Sequence, residues 1–213
     1  MLQRHQTLYE AARALPLLGE LHGRGAALVV DLADRRSVVR HYHRGGAIAD
    51  TLGDRYFRLA GNRVLHELRI SEAARNRGVA TPLVQCGAWY PAGLFQRFDI
   101  ATEYIPDSYD LSTVLFADVA PSDQALARTA QLIRAMVRGG LNHRDLNVKN
   151  ILLAPDAAYV LDLDRCSIAD RLAQADAHAM RARFFRSVNK WESKTGRRVH
   201  DITRNTLSEA FDA

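Results

Sequence analysis

Residues 139–162 leave this chain little freedom. Leu126, Ala130, Ile133 and Val137 recur at helical spacing behind Ser122, a good N-cap residue, and the run stops at Gly139-Gly140. A polar loop, "LNHRDLNVKN", follows directly. Next come the short apolar run "ILL" and then "AYVLDLDR", an apolar strand closed by Asp162. Helix, glycine exit, polar loop and two short strands are therefore predicted in that order.

The residue types in the loop point to phosphate chemistry. His143-Arg144-Asp145-Leu146, with Asn150 five residues after Asp145, matches the protein-kinase catalytic-loop pattern H-R-D-L-x-x-x-N at every fixed position. Phosphoryl transfer needs a carboxylate to orient an attacking hydroxyl and accept its proton, here Asp145. It also needs oxygen ligands for a metal on the phosphates, here Asn150 and Asp162. Magnesium, or manganese in its place, prefers such a sparse oxygen set. Where serine/threonine kinases often place lysine two residues after the catalytic aspartate, this chain has Asn147. Lys149 either supplies the γ-phosphate charge or is a solvated loop lysine.

Elsewhere the 213 residues read as one domain or two small lobes, with 47% apolar and 25% charged residues, enough for a real core. "AARALPLLGEL", broken by Pro16, reads as a packed N-terminal segment, and no signal peptide or membrane-spanning run is expected. Cys86 and Cys166 suit neither a disulfide framework nor a zinc site, which fits a reducing cytoplasm. A formal charge of +5 favours anionic partners without choosing among them. "RGAALVVDLADRRSVVRHY" predicts two strands turning at Ala33-Asp34-Arg35. "RVLHELRISEAARNRGV" predicts a helix with Val64, Leu65, Leu68 and Ala73 inward, leaving at Gly78. "FDIATEYI" predicts a strand half buried on one face through Phe98, Ile100, Thr102 and Tyr104. The expected architecture is α+β: a compact two-lobe protein-kinase-like fold with a reduced C-terminal lobe. A nucleotide-binding lobe would cover residues 1–106 and a catalytic lobe with a basic helical tail residues 107–213.

The nucleotide half has weaker signals. Gly23-Arg24-Gly25 is either a compressed phosphate loop, with Gly23 and Gly25 against ATP, or a plain hairpin turn. Arg40 stands where a kinase has its strand lysine; its fork of donors grips phosphate with a different geometry. Glu67 is its candidate partner, the alternative being a surface pair of little consequence. Glu103 and Tyr104, ending a strand, would offer backbone groups to the adenine edge.

Taken together, "VVRHYHRGG", "RVLHELRISEAARNRGVATP", "TEYIPDSYDL", "NHRDLNVKNILL", "YVLDLDR" and "RARFFRSVNKW" resemble the lipopolysaccharide core kinases, over roughly residues 20–192. Within them the resemblance is to the 3-deoxy-D-manno-octulosonic acid (Kdo) kinases. "DLDR" stands where protein kinases have D-F-G. The resemblance implies Asp145 as catalytic base, Asn150 and Asp162 as metal ligands, and Arg40 with Glu67 as the nucleotide-phosphate pair. It further implies ATP-dependent phosphorylation of a Kdo hydroxyl on a lipid A precursor, at the cytoplasmic face of the bacterial inner membrane. Nucleic acid is not expected as a partner.

Only 51 residues follow Asp162, with no A-P-E signature or long activation segment. A compact C-terminal lobe of this kind points to a small or glycan acceptor rather than a protein. A heptose kinase of the same pathway, a small protein kinase and an inactive binding scaffold are the rival readings. The basic stretch 181–200 places Phe184, Val188 and Trp191 on one helical face and Arg183, Arg186, Lys190 and Lys194 opposite. Such a helix either packs on the lobe with a solvated basic side or meets an anionic membrane surface. His41, His43 and Arg44, beside Gly45-Gly46, form a second basic spot that meets either the acidic sugar or water. Cys166 and His178 read as structural.

Overall fold

In the computed structural model, residues 7–21, 26–43, 53–117 and 121–213 are described. Gly23 and Gly25, the expected phosphate loop, lie outside these residues, as do Arg44 and Gly45-Gly46. The chain divides into two compact units, residues 1–68 with 83–104 and residues 69–82 with 105–213.

The first unit is built on an antiparallel sheet. Strands β1 (Gly19–Leu21), β2 (Ala27–Leu32) and β3 (Arg35–His41) pair in sequence. β4 (Tyr56–Phe57), β5 (Val84–Ala92) and β6 (Phe95–Glu103) complete it, with β6 bonded to β3, β4 and β5. The β2–β3 turn has Ala33 and Asp34 both at positive φ (46° and 63°), the mirror-image turn whose twist suits a two-residue hairpin.

β6 departs from its expected one-sided burial: Phe98, Asp99, Ile100 and Ala101 are all fully buried. The reason is a cover on each face. Helix α1 (Leu8–Arg13) sets Ala12 against Leu28, Val30, Val39 and Ala101, while Phe98 packs with Tyr56 and Val64 on the other side. α1 is held by a capping box, in which Thr7 Oγ1 accepts from Glu10 N and Glu10 returns the bond to Thr7 N.

Covering both faces brings a charge inside, and the network around it is complete. Asp99 accepts from the Tyr9 amide (2.8 Å) and the Tyr90 hydroxyl (3.1 Å) and meets His41 Nδ1 at 2.5 Å. His41 Nε2 lies 2.9 Å from Asp54. His41 is thus an internal group, not the solvent- or sugar-facing one expected from its basic neighbours. Burial pulls its pKa down, but hydrogen bonds and charge from Asp99 and Asp54 outweigh that and raise it. A raised folded-state value stabilises the fold fully below the unfolded value, about 6.5, and the contribution is lost as pH rises through the folded value. The stability difference between the wild type and His41→Gln, measured by thermal melting, should therefore shrink as pH is raised above about 6.5. A difference independent of pH would remove His41 from this role.

Helix α2 (Arg63–Asn76) is divided between the units at Leu68 and Arg69. Its inner face is rotated from the expected one. Val64, Glu67, Ile70, Ser71 and Ala74 are buried, whereas Leu68 is 39% exposed. A buried carboxylate, satisfied by partners described below, takes a place that apolar periodicity assigns to leucine.

The second unit is mainly helical. α3 (Leu111–Leu115) is short; α4 (Asp123–Arg138) is capped by Ser122 Oγ, which accepts from Ala125 N at 3.2 Å. α4 buries Leu132 and Met136 beside the expected Ala130, Ile133 and Val137. Small ladders join β7 (Tyr109–Asp110), β9 (Ile151–Leu153) and β10 (Ala158–Val160), and β8 (Leu141–Asn142) with β11 (Ser167–Ile168). α5 (Gln174–Thr195) buries Ala177, Met180, Phe184 and Val188, so its apolar face packs on the unit. α6 (Asp201–Glu209) and the turn after it bring Leu207, Ala210 and Phe211 into the same core, with Phe211 5.9 Å from Phe184 between ring centroids. Beyond Trp191, a segment whose role the sequence leaves open, Val199, Thr203, Leu207, Ala210 and Phe211 are buried. Arg181, the first residue of the basic stretch, pairs with Asp212 at 3.2 Å.

Candidate functional site

The loop after β8 is anchored by alternation. Leu146, Val148 and Ile151 are buried, and the polar residues between them are left at the surface or partly so. Val148 N donates to Ser187 Oγ on α5 (3.2 Å), which fixes the middle of the loop.

His143 is the pin. It is fully buried; its Nδ1 accepts from Asp145 N (3.3 Å), so Nε2 carries the proton and donates to Leu161 O (2.9 Å). Burial lowers its pKa, which keeps the ring in this neutral tautomer. One imidazole thereby ties the backbone of Asp145 to the residue before Asp162. A second tie runs beside it, since Leu161 N donates to Asn150 O at 2.9 Å.

Asn147 and Asn150 both use their amide nitrogens on the Asp145 carbonyl, at 2.9 and 3.1 Å. This turns the Asn150 amide so that its oxygen is the end offered to a cation. Asp162 has φ 63° and ψ 63°, a left-handed conformation that costs a non-glycine residue roughly 1–2 kcal/mol. The expected strand ends two residues earlier, at Val160, and Asp162 opens a 3-10 turn over Leu163–Arg165. Among the described residues no group of three or more His, Cys, Asp or Glu converges on a cation position. The oxygen pair Asn150 and Asp162 fits a divalent ion that takes its remaining ligands from phosphate and water.

Arg165 is a site residue that the sequence reading passes over. Its Nη1 donates to Asp145 Oδ2 at 3.1 Å. The signal was present in "DLDR", where only the acid was given a use. Asp145 is 48% and Arg165 63% exposed at the side chain, so the pair is solvated and easily parted. Lys149 is drawn elsewhere: its ammonium lies 5.2 Å from the Trp191 ring centroid on α5.

In the first unit, Arg40 and Glu67 meet at 3.0 Å. With a Glu67 side chain only 5% exposed, this is no surface pair. Tyr42 Oη donates to the other carboxylate oxygen. Glu103 N and Tyr104 N donate to Leu83 O (2.9 Å) and Arg36 O (3.1 Å), and Glu103 Oε1 accepts from Leu83 N (2.7 Å). These amides are thus already used within the unit.

The chain is similar to known proteins over most of its length. A 3-deoxy-D-manno-octulosonic acid kinase of Vibrio vulnificus (strain YJ016) is 30% identical over 202 residues, 92% of this chain and 84% of that one. The enzyme of the same name from Stenotrophomonas maltophilia (strain R551-3) is 31% identical over 195 residues, covering 89% and 76%. That of Vibrio cholerae is 28% identical over 179 residues, covering 82% and 76%. Among solved structures, WaaP in complex with acyl carrier protein superposes with a TM-score of 0.59 at 18% identity, covering 98% of this chain and 83% of that one. That likeness carries the fold, which is α+β and kinase-like. The model of the lipopolysaccharide kinase (Kdo/WaaP) family matches residues 11–205, and to that family this chain belongs.

Proposed function

We propose that the protein transfers the γ-phosphate of ATP to a hydroxyl of a Kdo residue on a lipid A precursor. The observation that carries this reading is the double tie of the catalytic loop, His143 to Leu161 O and Leu161 N to Asn150 O, which holds Asp145 and Asn150 in register with Asp162. The acceptor comes from the relatives named as 3-deoxy-D-manno-octulosonic acid kinases.

Asp145 is the base. Arg165 holds Oδ2 and leaves the other oxygen to accept the proton of the acceptor hydroxyl, whose oxygen then bonds phosphorus as the β–γ bridge breaks. Asn150 and Asp162 would hold magnesium or manganese, which when bound would offset the negative charge of the phosphates. Arg40, aimed by Glu67, grips the nucleotide phosphates with its donor fork. Glu103 and Tyr104 border the adenine. Residues 1–106 thus serve the nucleotide and 107–213 the transfer chemistry. No helix among the described residues is long and apolar enough to cross a membrane. The exposed Arg186, Lys190 and Lys194 suit peripheral contact with the anionic cytoplasmic face of the inner membrane, where the acceptor lies.

The test is a labelled-phosphate assay with the purified chain, ATP and a divalent cation. Kdo-bearing lipid A precursor, heptose-bearing core and a generic protein are offered in parallel. Label should appear on the Kdo acceptor and depend on the cation. Labelling of heptose or protein alone would overturn the reading.

A further inference from the structure

The buried carboxylate of Glu67 divides its two oxygens between two donors of the first unit. Arg40 Nη2 donates to Oε1 at 3.0 Å, and the Tyr42 hydroxyl donates to Oε2. Residues two apart in an extended strand share a face, which places both donors on the same side of the sheet. Arg40 lies in β3, and Tyr42 continues that strand's ladder, its amide donating to Phe98 O at 3.0 Å. Helix α2 brings Glu67 onto this face. Its Val64 packs with Phe98 and Tyr56, and the approach depends on Gly87 in β5, where an added methyl group would overlap Val64 Cγ1.

Of the two donors the phenol is the fixed one. Its ring meets Phe98 edge-on at 5.9 Å between centroids, and the Arg63 guanidinium lies 5.9 Å from its centre. A tyrosine turns about only two side-chain bonds, so a packed ring sets the place of its hydroxyl. Arg40 is the adaptable one, with 34% of its side chain exposed against 5% for Glu67.

This division bears on phosphate binding because arginine and carboxylate readily meet through two parallel bonds. A guanidinium facing a carboxylate with both oxygens open closes on it fork to fork. The bond from Tyr42 takes Oε2 out of that exchange. A buried oxygen without a donor is costly, so loss of the phenol would draw the guanidinium round to cover both oxygens. Donors turned to Glu67 are lost to phosphate.

We infer that Tyr42 is a positioning residue for nucleotide binding: by occupying Oε2 it keeps Arg40 from closing on Glu67 and leaves the guanidinium directed to the phosphates. The inference rests on the reading of Arg40 as the phosphate cation, and it adds a third member to that pair.

The test is calorimetric titration of ATP with magnesium into the full chain and its variants, independent of turnover. Tyr42→Phe should weaken binding about tenfold, the effect of one hydrogen bond to a charged group. Adenosine, which has no phosphate to grip, should bind the variant and the wild type alike. In the Arg40→Ala background the same substitution should change ATP affinity by less than about twofold. The Glu67→Gln background should behave likewise, because an amide has one acceptor oxygen and cannot be closed upon fork to fork. That background buries no carboxylate, so it keeps the test valid if Tyr42→Phe alone does not fold. Wild-type affinity for ATP in Tyr42→Phe overturns the inference, as does a loss of about tenfold in either background or an equal loss for adenosine. Weakened ATP binding in Arg40→Ala with none in Tyr42→Phe sinks the role of Tyr42 and leaves the proposed function standing. Unchanged ATP binding in Arg40→Ala removes both Tyr42 and Arg40 from phosphate binding.

Discussion

Replacing Asp145 by asparagine is expected to lower phosphate transfer about a thousandfold and to leave the fold intact. General-base catalysis contributes roughly 10²- to 10⁴-fold, and the amide cannot accept the proton. The structural work at this position is done by backbone: the Asp145 carbonyl holds Asn147 and Asn150, and its amide bonds His143. Among the described residues the side chain bonds only with Arg165, in a solvated pair, and an asparagine oxygen can still accept from it. Single-turnover transfer and thermal melting, run side by side, check both halves. Near-wild-type turnover would remove Asp145 from the base role. Lost turnover together with a large drop in melting temperature would show that the side chain holds the loop together.

The largest effect on stability is expected at Gly140, where the catalytic segment leaves α4. Its φ is 72°, and a methyl group added there would overlap the carbonyl oxygen of Ala169. That carbonyl belongs to a fixed partner, since Ala169 N donates to Gly140 O at 3.0 Å where β8 and β11 come together. Backbone strain of about 1 kcal/mol and overpacking of about 1–3 kcal/mol give Gly140→Ala a cost of about 2–4 kcal/mol. At about 2–4 °C per kcal/mol for a chain of this size, the melting temperature should fall by about 4–16 °C. Gly196 is the internal control, with the same φ of 72° and open space around the added carbon. Gly196→Ala should cost only the strain, about 1 kcal/mol. Equal losses in urea denaturation for the two variants would mean that Ala169 yields and that the segment is not clamped at Gly140.

What could be read from the sequence was the part whose physics is local. Within the loop, bonds span two to five residues, among them Asn147 to Asp145, Lys149 to Asn147 and Asn150 to Asp145, while Leu161 and Ser187 pin it from outside. Its residue order therefore carries its geometry. The same holds for the Ser122 cap, the glycine exit and the Ala33-Asp34 turn, each decided within four residues. Arg40 and Glu67 were paired across 27 residues, a separation bridged by a pattern of types and not by any local force.

Only the tertiary structure decided the rest, because the deciding partner is remote in sequence. Apolar periodicity put Leu68 inside α2. The fold put Glu67 there, because the guanidinium of Arg40 and the hydroxyl of Tyr42 offset the cost of burying its charge. His41 read as a surface cation until Asp99, 58 residues away, enclosed it. No local signal marks the C-terminal turn, yet Phe211 packs in the core against Phe184. The Lys149 ammonium lies over the ring of Trp191, 42 positions away. Chemistry held by neighbouring backbone groups is written in the order of residues, whereas burial and charge pairing depend on which distant segments the packed core brings to the same place.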